Sequence, residues 1–385
     1  MIRKITFRNF YSFKEEQVID FTVNKKQSTD YFESYDGVQI SKVAGFVGPN
    51  ASGKTNAMRI FGFLSYFACS QDKKNDDFTP FKSYSFSNDE TSSLDVEFET
   101  NDNLYQLSIL LTEKTVIKES LQYKELKKGS RYSVLYERNN EAIDLNTKFF
   151  PGVTKKNLSS IPEHTSVIAF IDANYDIPLI NEVHHYFASL NLNITEAGYT
   201  SSVDDSIPYA LGMYTENPDV KTKMEEIVND FGIGIDKFIF KKIDNENYSI
   251  SANHKVNKKN YVLSLNYESR GTRALFCEIG RILLFLKNGS VIVSDEVETG
   301  LHPEAVNKII NFVTEKLENQ KKQFIFSSHS LEFMKKFDAQ QIFLVEKENN
   351  ASELFRLDEL KLRSEENYFK KYQSGAYGAF PKIRI

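Results

Sequence analysis

The 385-residue sequence has no tryptophan, only two cysteines and nine prolines, and its charge is nearly balanced, with 48 Lys and Arg against 53 Asp and Glu for a formal net charge of −5. Each shortage removes a class of protein. Cys69 and Cys277 stand far apart and outside any metal-ligand spacing, which excludes a disulfide framework and fits a reducing compartment. No apolar run is long enough to cross a bilayer. The opening MIRKITFRNFYSF alternates apolar and polar residues and lacks the continuous apolar core of a signal peptide, so a cytoplasmic protein without membrane contact is expected. A weakly acidic total excludes a generally basic nucleic-acid coat. Without a sustained heptad, internal repeat or low-complexity tract, no long coiled-coil arm is expected. His184 and His185 are adjacent, so they do not share a helix face, and no cysteine lies nearby to complete a zinc site.

What the chain does contain is an α/β pattern. Residues 1–24 read as two strands, and Lys42 to Val47 as a third. From Asn56 to Cys69, Ala57, Ile60, Phe61, Leu64 and Phe67 recur at helical spacing. The runs DVEFET, LYQLSILL, TVIKESLQY and YSVLYER predict an antiparallel sheet, SVIAFID (Ser166 to Asp172) a buried strand, and Ile177 to Phe231 a mainly helical stretch. FIFKKI, YSISA and YVLSL restore strand character. From Thr272 onward helices (Thr272 to Leu286, Pro303 to Glu318, Leu331 to Phe337) alternate with strands (Ser290 to Ser294, Gln323 to Ser327, Gln341 to Val345), which predicts a parallel sheet with crossover helices. Residues 1–92 and 261–385 therefore read as two parts of one α/β core, interrupted by an antiparallel β part (93–165) and a mainly helical insertion (166–260).

The segment Gly48-Pro49-Asn50-Ala51-Ser52-Gly53-Lys54-Thr55 matches the G-x-x-x-x-G-K-[ST] phosphate loop in its required setting, after an apolar strand and before a helix. The glycines let backbone N–H groups turn toward phosphates, and the helix N-terminus, with Asn56 in its first turn, adds partial positive charge. Lys54 would reach the β and γ phosphates of ATP, and the Thr55 hydroxyl would coordinate Mg²⁺. A buried strand, SVIVS, then ends in Asp295 and Glu296 at the sheet edge where ligands of open α/β sheets bind. Asp295 suits the Mg²⁺ shell, and Glu296 suits the polarisation of an attacking water. His329, in FIFSSHS, follows the next strand and is expected at the same edge, sensing the γ phosphate.

In this order GPNASGKT, ESRGTRALF, VIVSDEVETGLHP and IFSSHS resemble the ABC-type ATPase heads of the SMC, Rad50, RecF and OLD class. The resemblance implies an ABC-ATPase-type P-loop head with a mixed or parallel sheet and an inserted α+β region. It also implies a head-to-tail homodimer or higher oligomer, in which the Ser269 and Gly271 signature completes a second subunit's ATP site. Here Glu268 stands where such heads carry Leu. FRNF looks like their RxNF element, which makes Arg8 and Asn9 nucleotide-binding candidates, while Gln106 and Gln122 are available for the Q-loop without a recognisable context. The DEVETGLHP variant and the tail YQSGAYGAFPKI (Tyr372 to Ile383) resemble AAA15-type ATPases of phage-defence loci, the RloA/AbiL-like group. That resemblance implies a switch controlling a separately encoded effector, such as a Toprim-like nuclease; the alternatives are a RecF-like DNA clamp and a non-hydrolysing scaffold. Nucleic-acid contact stays open on two basic regions, Lys124, Lys127, Lys128 and Arg131 with Tyr123 and Tyr132, and Lys241, Lys242, Lys255, Lys258 and Lys259.

Overall fold

The computed structural model describes residues 1–24, 28–70, 81–198, 202–244, 248–298, 300–360 and 368–374. The chain divides into two compact units: Met1–Tyr199 with Ser290–Glu296 and Thr314–Ile385, and Thr200–Gly289 with Val297–Val313.

The first unit is built on a six-stranded sheet in the order Asn191–Leu192, Val291–Ser294, Gln323–Ser327, Val43–Val47, Ile342–Glu348, Ala351–Arg356. The first five strands run parallel and only the last is antiparallel. Every residue of the three central strands is buried, as expected where a parallel sheet is covered on both faces. A second, seven-stranded sheet contains Ile2–Arg8 and the four predicted antiparallel runs, observed as Ser92–Thr100, Asn103–Leu111, Val116–Glu125 and Ser133–Asn139. Helix Lys54–Cys69 contributes Ala57, Ile60, Phe61, Leu64 and Phe67 to the core shared by these elements.

Two local expectations are corrected. Ser166 to Asp172 is not a strand: Val167–Asn174 is a helix. A continuous apolar run carries no period, and what decides is capping, since the Ser166 hydroxyl accepts from the Ile168 N–H at 3.0 Å and the buried Glu119 carboxylate accepts from the Val167 N–H at 2.9 Å. The helix expected over Leu331 to Phe337 is a short 3₁₀ turn, Glu332–Lys335. The tail Tyr372 to Ile383 lies, from residue 375 onward, outside the described residues.

In the second unit, helices Val203–Glu216, Pro218–Asp230 and Arg270–Asn288 accompany a three-stranded antiparallel sheet, Ile235–Lys242, Tyr248–Val256 and Lys259–Ser264. Phe238 and Tyr214 meet Phe276 at ring-centroid distances of 5.0 Å, and the Tyr214 hydroxyl donates to the Phe276 carbonyl at 2.6 Å. Among the described residues the longest helix has 19 residues, and no helix is long and apolar enough to cross a membrane. The protein is an α/β P-loop head with a mixed sheet and an α+β insertion, without a long coiled coil among the described residues.

Candidate functional site

The strand Val43–Val47 ends in the loop Gly48–Gly53, and helix Lys54–Cys69 starts directly after it. Gly53 has φ 116°, a left-handed conformation costly for any side chain, and a Cβ there would run into the Ser352 hydroxyl. A Cβ on Gly48 would strike the Val345 carbonyl. Ser352 braces the loop from the neighbouring hairpin, donating to the Ser52 carbonyl at 2.6 Å and bonding the Ser12 hydroxyl at 2.7 Å. The Asn56 amide donates to the same Ser12 hydroxyl at 2.8 Å. Lys54 is buried, its ammonium donating to the carbonyls of Gly48 (2.8 Å) and Pro49 (3.0 Å).

The acidic strand lies two strands away, with Gln323–Ser327 between. Ser327 is the junction: its hydroxyl donates to Asp295 Oδ1 at 2.5 Å and accepts from the Glu296 N–H at 2.8 Å. Asn193 grips the same turn from the other side, accepting from the Asp295 N–H (2.7 Å) and donating to its carbonyl (2.8 Å). The two carboxylates are held differently. Asp295 is 2% exposed, and burial raises its pKa above the ordinary carboxylate range against hydrogen bonds from Ser327 and Thr55. Glu296 has φ 47° and a side chain 48% exposed, with His329 Nε2 3.7 Å from its Oε1. A cleft of about 620 Å³ is lined by Asn50 to Asn56, Glu296, His329 and Lys347.

Two buried side-chain oxygens at this edge lack a hydrogen-bond partner among the described residues, Asp295 Oδ2 and Ser52 Oγ. An orphaned carboxylate oxygen beside the Thr55 hydroxyl is a hard-oxygen donor set that fits Mg²⁺, which takes few protein ligands and completes its shell with phosphate oxygens and water.

The other expected residues are placed elsewhere. Arg8 pairs with Asp89 at 2.6 Å, and the buried Asn9 amide donates to the Asp89 and Thr91 carbonyls while its oxygen accepts from the Tyr84 N–H. Neither lines the cleft. Gln106 and Gln122 hydrogen-bond each other at 2.6 Å across adjacent antiparallel strands and also stay outside it. In the second unit Ser269 caps helix Arg270–Asn288, its hydroxyl accepting from the Thr272 N–H at 3.1 Å, and Gly271 packs where a Cβ would lie 2.9 Å from the Gly300 carbonyl. Both line a separate cavity of about 440 Å³ with His302 and Lys308. Glu268, at the departure from the signature, is bonded to His254 at 2.6 Å. His184 pairs with Asp172 at 3.2 Å, and no group of three metal-ligating side chains occurs among the described residues. Ser327, Asn193, Ser352 and Lys347 escaped the sequence reading, because each is recognisable only by what folding sets beside it.

No curated protein matches the chain. Among solved structures it is similar to an SMC head bound to the C-winged helix domain of ScpA (14% identity, TM-score 0.45, 93% of this chain and 98% of that one). It is also similar to the SMC head domain from Thermotoga maritima (15%, 0.43, 92% and 98%). A third is an Smc head domain with an extended coiled coil bound to the C-terminal domain of ScpA derived from Pyrococcus furiosus (13%, 0.43, 93% and 97%). Residues 43–335 match the family described as AAA domain, putative AbiEii toxin, Type IV TA system, and with the phosphate loop and acidic strand inside that span, the chain belongs to this family.

Proposed function

We propose that the chain binds and hydrolyses ATP and uses the cycle as a switch. The observation that carries this reading is the convergence of Lys54, Thr55, Asp295, Glu296 and His329 from three strands of one sheet, with a single hydroxyl, Ser327, bonding both the Asp295 carboxylate and the Glu296 backbone N–H. The phosphate loop and Lys54 bind the triphosphate through backbone N–H groups and one ammonium. Asp295 and Thr55 would hold Mg²⁺, which when bound would supply neutralisation of triphosphate charge. Glu296, whose backbone N–H is held by Ser327 and whose side chain lines the cleft, would accept the proton of the attacking water, and His329, 3.7 Å from it in the same cleft, would sense the γ phosphate.

The exposure of Glu296 and His329 supports a cycle of closure: hydrolysis is favoured when bulk solvent is excluded around the one attacking water, and a second copy contributing its Ser269 and Gly271 turn is the natural wall. The toxin–antitoxin wording of the family description supports a regulatory role in defence, in which the nucleotide state of an AAA15-like dimer licenses a separately encoded effector.

The test is steady-state ATP hydrolysis and native mass of wild-type and Glu296→Gln protein with Mg-ATP. Loss of a general base predicts turnover lower by about 10²–10⁴-fold with ATP still bound and the dimer accumulated. Wild-type turnover in the variant overturns the role of Glu296, while a mass indifferent to ATP overturns the switch and leaves the scaffold or DNA-clamp alternatives.

A further inference from the structure

The two basic regions of the sequence have different fates. In the first, Lys124 sits over the Tyr132 ring at 5.0 Å and 4.0 Å from Asp36, Lys127 pairs with Glu125, and Tyr123 packs on Phe149 at 5.4 Å. Lys124, Lys127 and both rings are engaged within the fold, while Lys128 and Arg131 are exposed. The second is the three-stranded sheet, where residues 235–264 of the sequence carry six lysines (Lys237, Lys241, Lys242, Lys255, Lys258, Lys259) against three acids (Asp236, Asp244, Glu246), net +3 in a chain of −5. The ion pairs among the described residues involve none of those six lysines.

The same sheet is apolar where it meets solvent. Of twelve exposed large hydrophobic side chains among the described residues, eight fall between Ile239 and Tyr267, a concentration that marks an interaction surface. The strand Lys259–Ser264 pairs with Tyr248–Val256 along one edge only, and among the described residues no strand or loop hydrogen-bonds its other edge. Tyr261 and Val262, 55% and 61% exposed, point to opposite faces of the sheet, so at this strand both faces are open as well as the edge. An open strand edge offers a row of unpaired N–H and C=O groups to another strand.

We propose that this edge receives an acidic, extended segment of a partner protein, which adds as a fourth strand and sets its carboxylates against Lys255, Lys258 and Lys259. Two occupants fit less well. A second copy would bring two lysine-rich sheets together, and like charges repel across a pairing strand. Nucleic acid would use rings for stacking, yet five of the eight exposed side chains are aliphatic and offer no π face. Binding here is a main-chain event with charge selecting the partner, and it stands apart from the nucleotide reading.

The experiment uses the full-length protein and fluorescein-labelled decapeptides alternating Glu or Asp with Val, Ile or Tyr, beside lysine-containing counterparts and a ten-nucleotide oligo-dT, read by anisotropy and by hydrogen exchange at residues 260–264. The expected result is binding of the acidic peptides with slowed exchange at those amides, weakened at least tenfold by Val262→Pro and by the triple change of Lys255, Lys258 and Lys259 to Glu, both variants retaining ATP binding. The triple variant keeps the test decisive should the proline disturb the strand. Tighter oligo-dT binding with a steep salt dependence and no slowed exchange overturns the proposal in favour of nucleic acid. Exchange slowed by protein concentration alone overturns it in favour of a second copy, and no binding by any acidic peptide overturns it outright.

Discussion

The strands Val291–Ser294 and Lys259–Ser264 are both short, and they lead opposite lives. The first is buried at every residue, with parallel neighbours on both sides, and delivers Asp295 and Glu296 to a turn held by Ser327 and Asn193. The second is exposed at five of its six residues and paired on one side. A strand enclosed by its neighbours can hold a charged pair to a fixed geometry, as phosphate chemistry requires. A strand left open gains its remaining partners only from another chain.

The largest effect that sharpens this contrast is on the enclosed side. Lys54→Ala should lower ATP affinity about 100-fold, the scale of about 3 kcal/mol for charge-assisted hydrogen bonds to phosphate, measured by calorimetry with Mg-ATP. An unchanged affinity would break the link between the buried loop and the ligand. Next, Val293→Ala should destabilise the nucleotide-free protein by about 2 kcal/mol in urea unfolding, because a fully buried side chain leaves a cavity in a covered sheet.

A smaller effect, of opposite sign, comes from Asp295. Burial raises its folded-state pKa above the unfolded value, so the stability it contributes is present at low pH and is lost as pH rises through the raised value. Asp295→Asn should therefore raise the apo melting temperature at pH 7 while abolishing the extra stabilisation by Mg-ATP, both read in one pair of thermal scans. Smallest of all, Val262→Ala should change stability by no more than about 0.5 kcal/mol, since its side chain is already in solvent. A loss equal to that of Val293→Ala would erase the distinction between the strands.

The legible parts of this molecule were the local ones. GPNASGKT, the SVIVSDE strand and FIFSSHS each declare themselves within about ten residues, because strand, turn and helix start are set by near neighbours, and folding brings their side chains to one cleft. The Ser166 helix was only half legible: the Ser166 cap is local, but its reinforcement comes from Glu119, 48 residues before Val167. The same holds for the braces, since Ser352 reaches the Ser52 carbonyl across 300 residues and Asn193 reaches Asp295 across 102. Arg8 and Asn9 show a motif fragment whose bonds also come from distant residues, here Asp89, Thr91 and Tyr84.

The order of strands in the parallel sheet carries a consequence for how the protein comes into being. The strand that presents the phosphate loop, Val43–Val47, is flanked by Gln323–Ser327 and Ile342–Glu348, and even Ile2 gives its backbone N–H to the side chain of Gln323. As the chain is synthesised from its beginning, this loop emerges early yet has neither neighbour until most of the polypeptide has been made. Its folding must await contacts of very high sequence separation, which are slow to form. Nucleotide binding by a nascent or truncated chain would thus report that Gln323–Ser327 and Ile342–Glu348 have been made and docked, making ATP a marker of that late closure of the sheet.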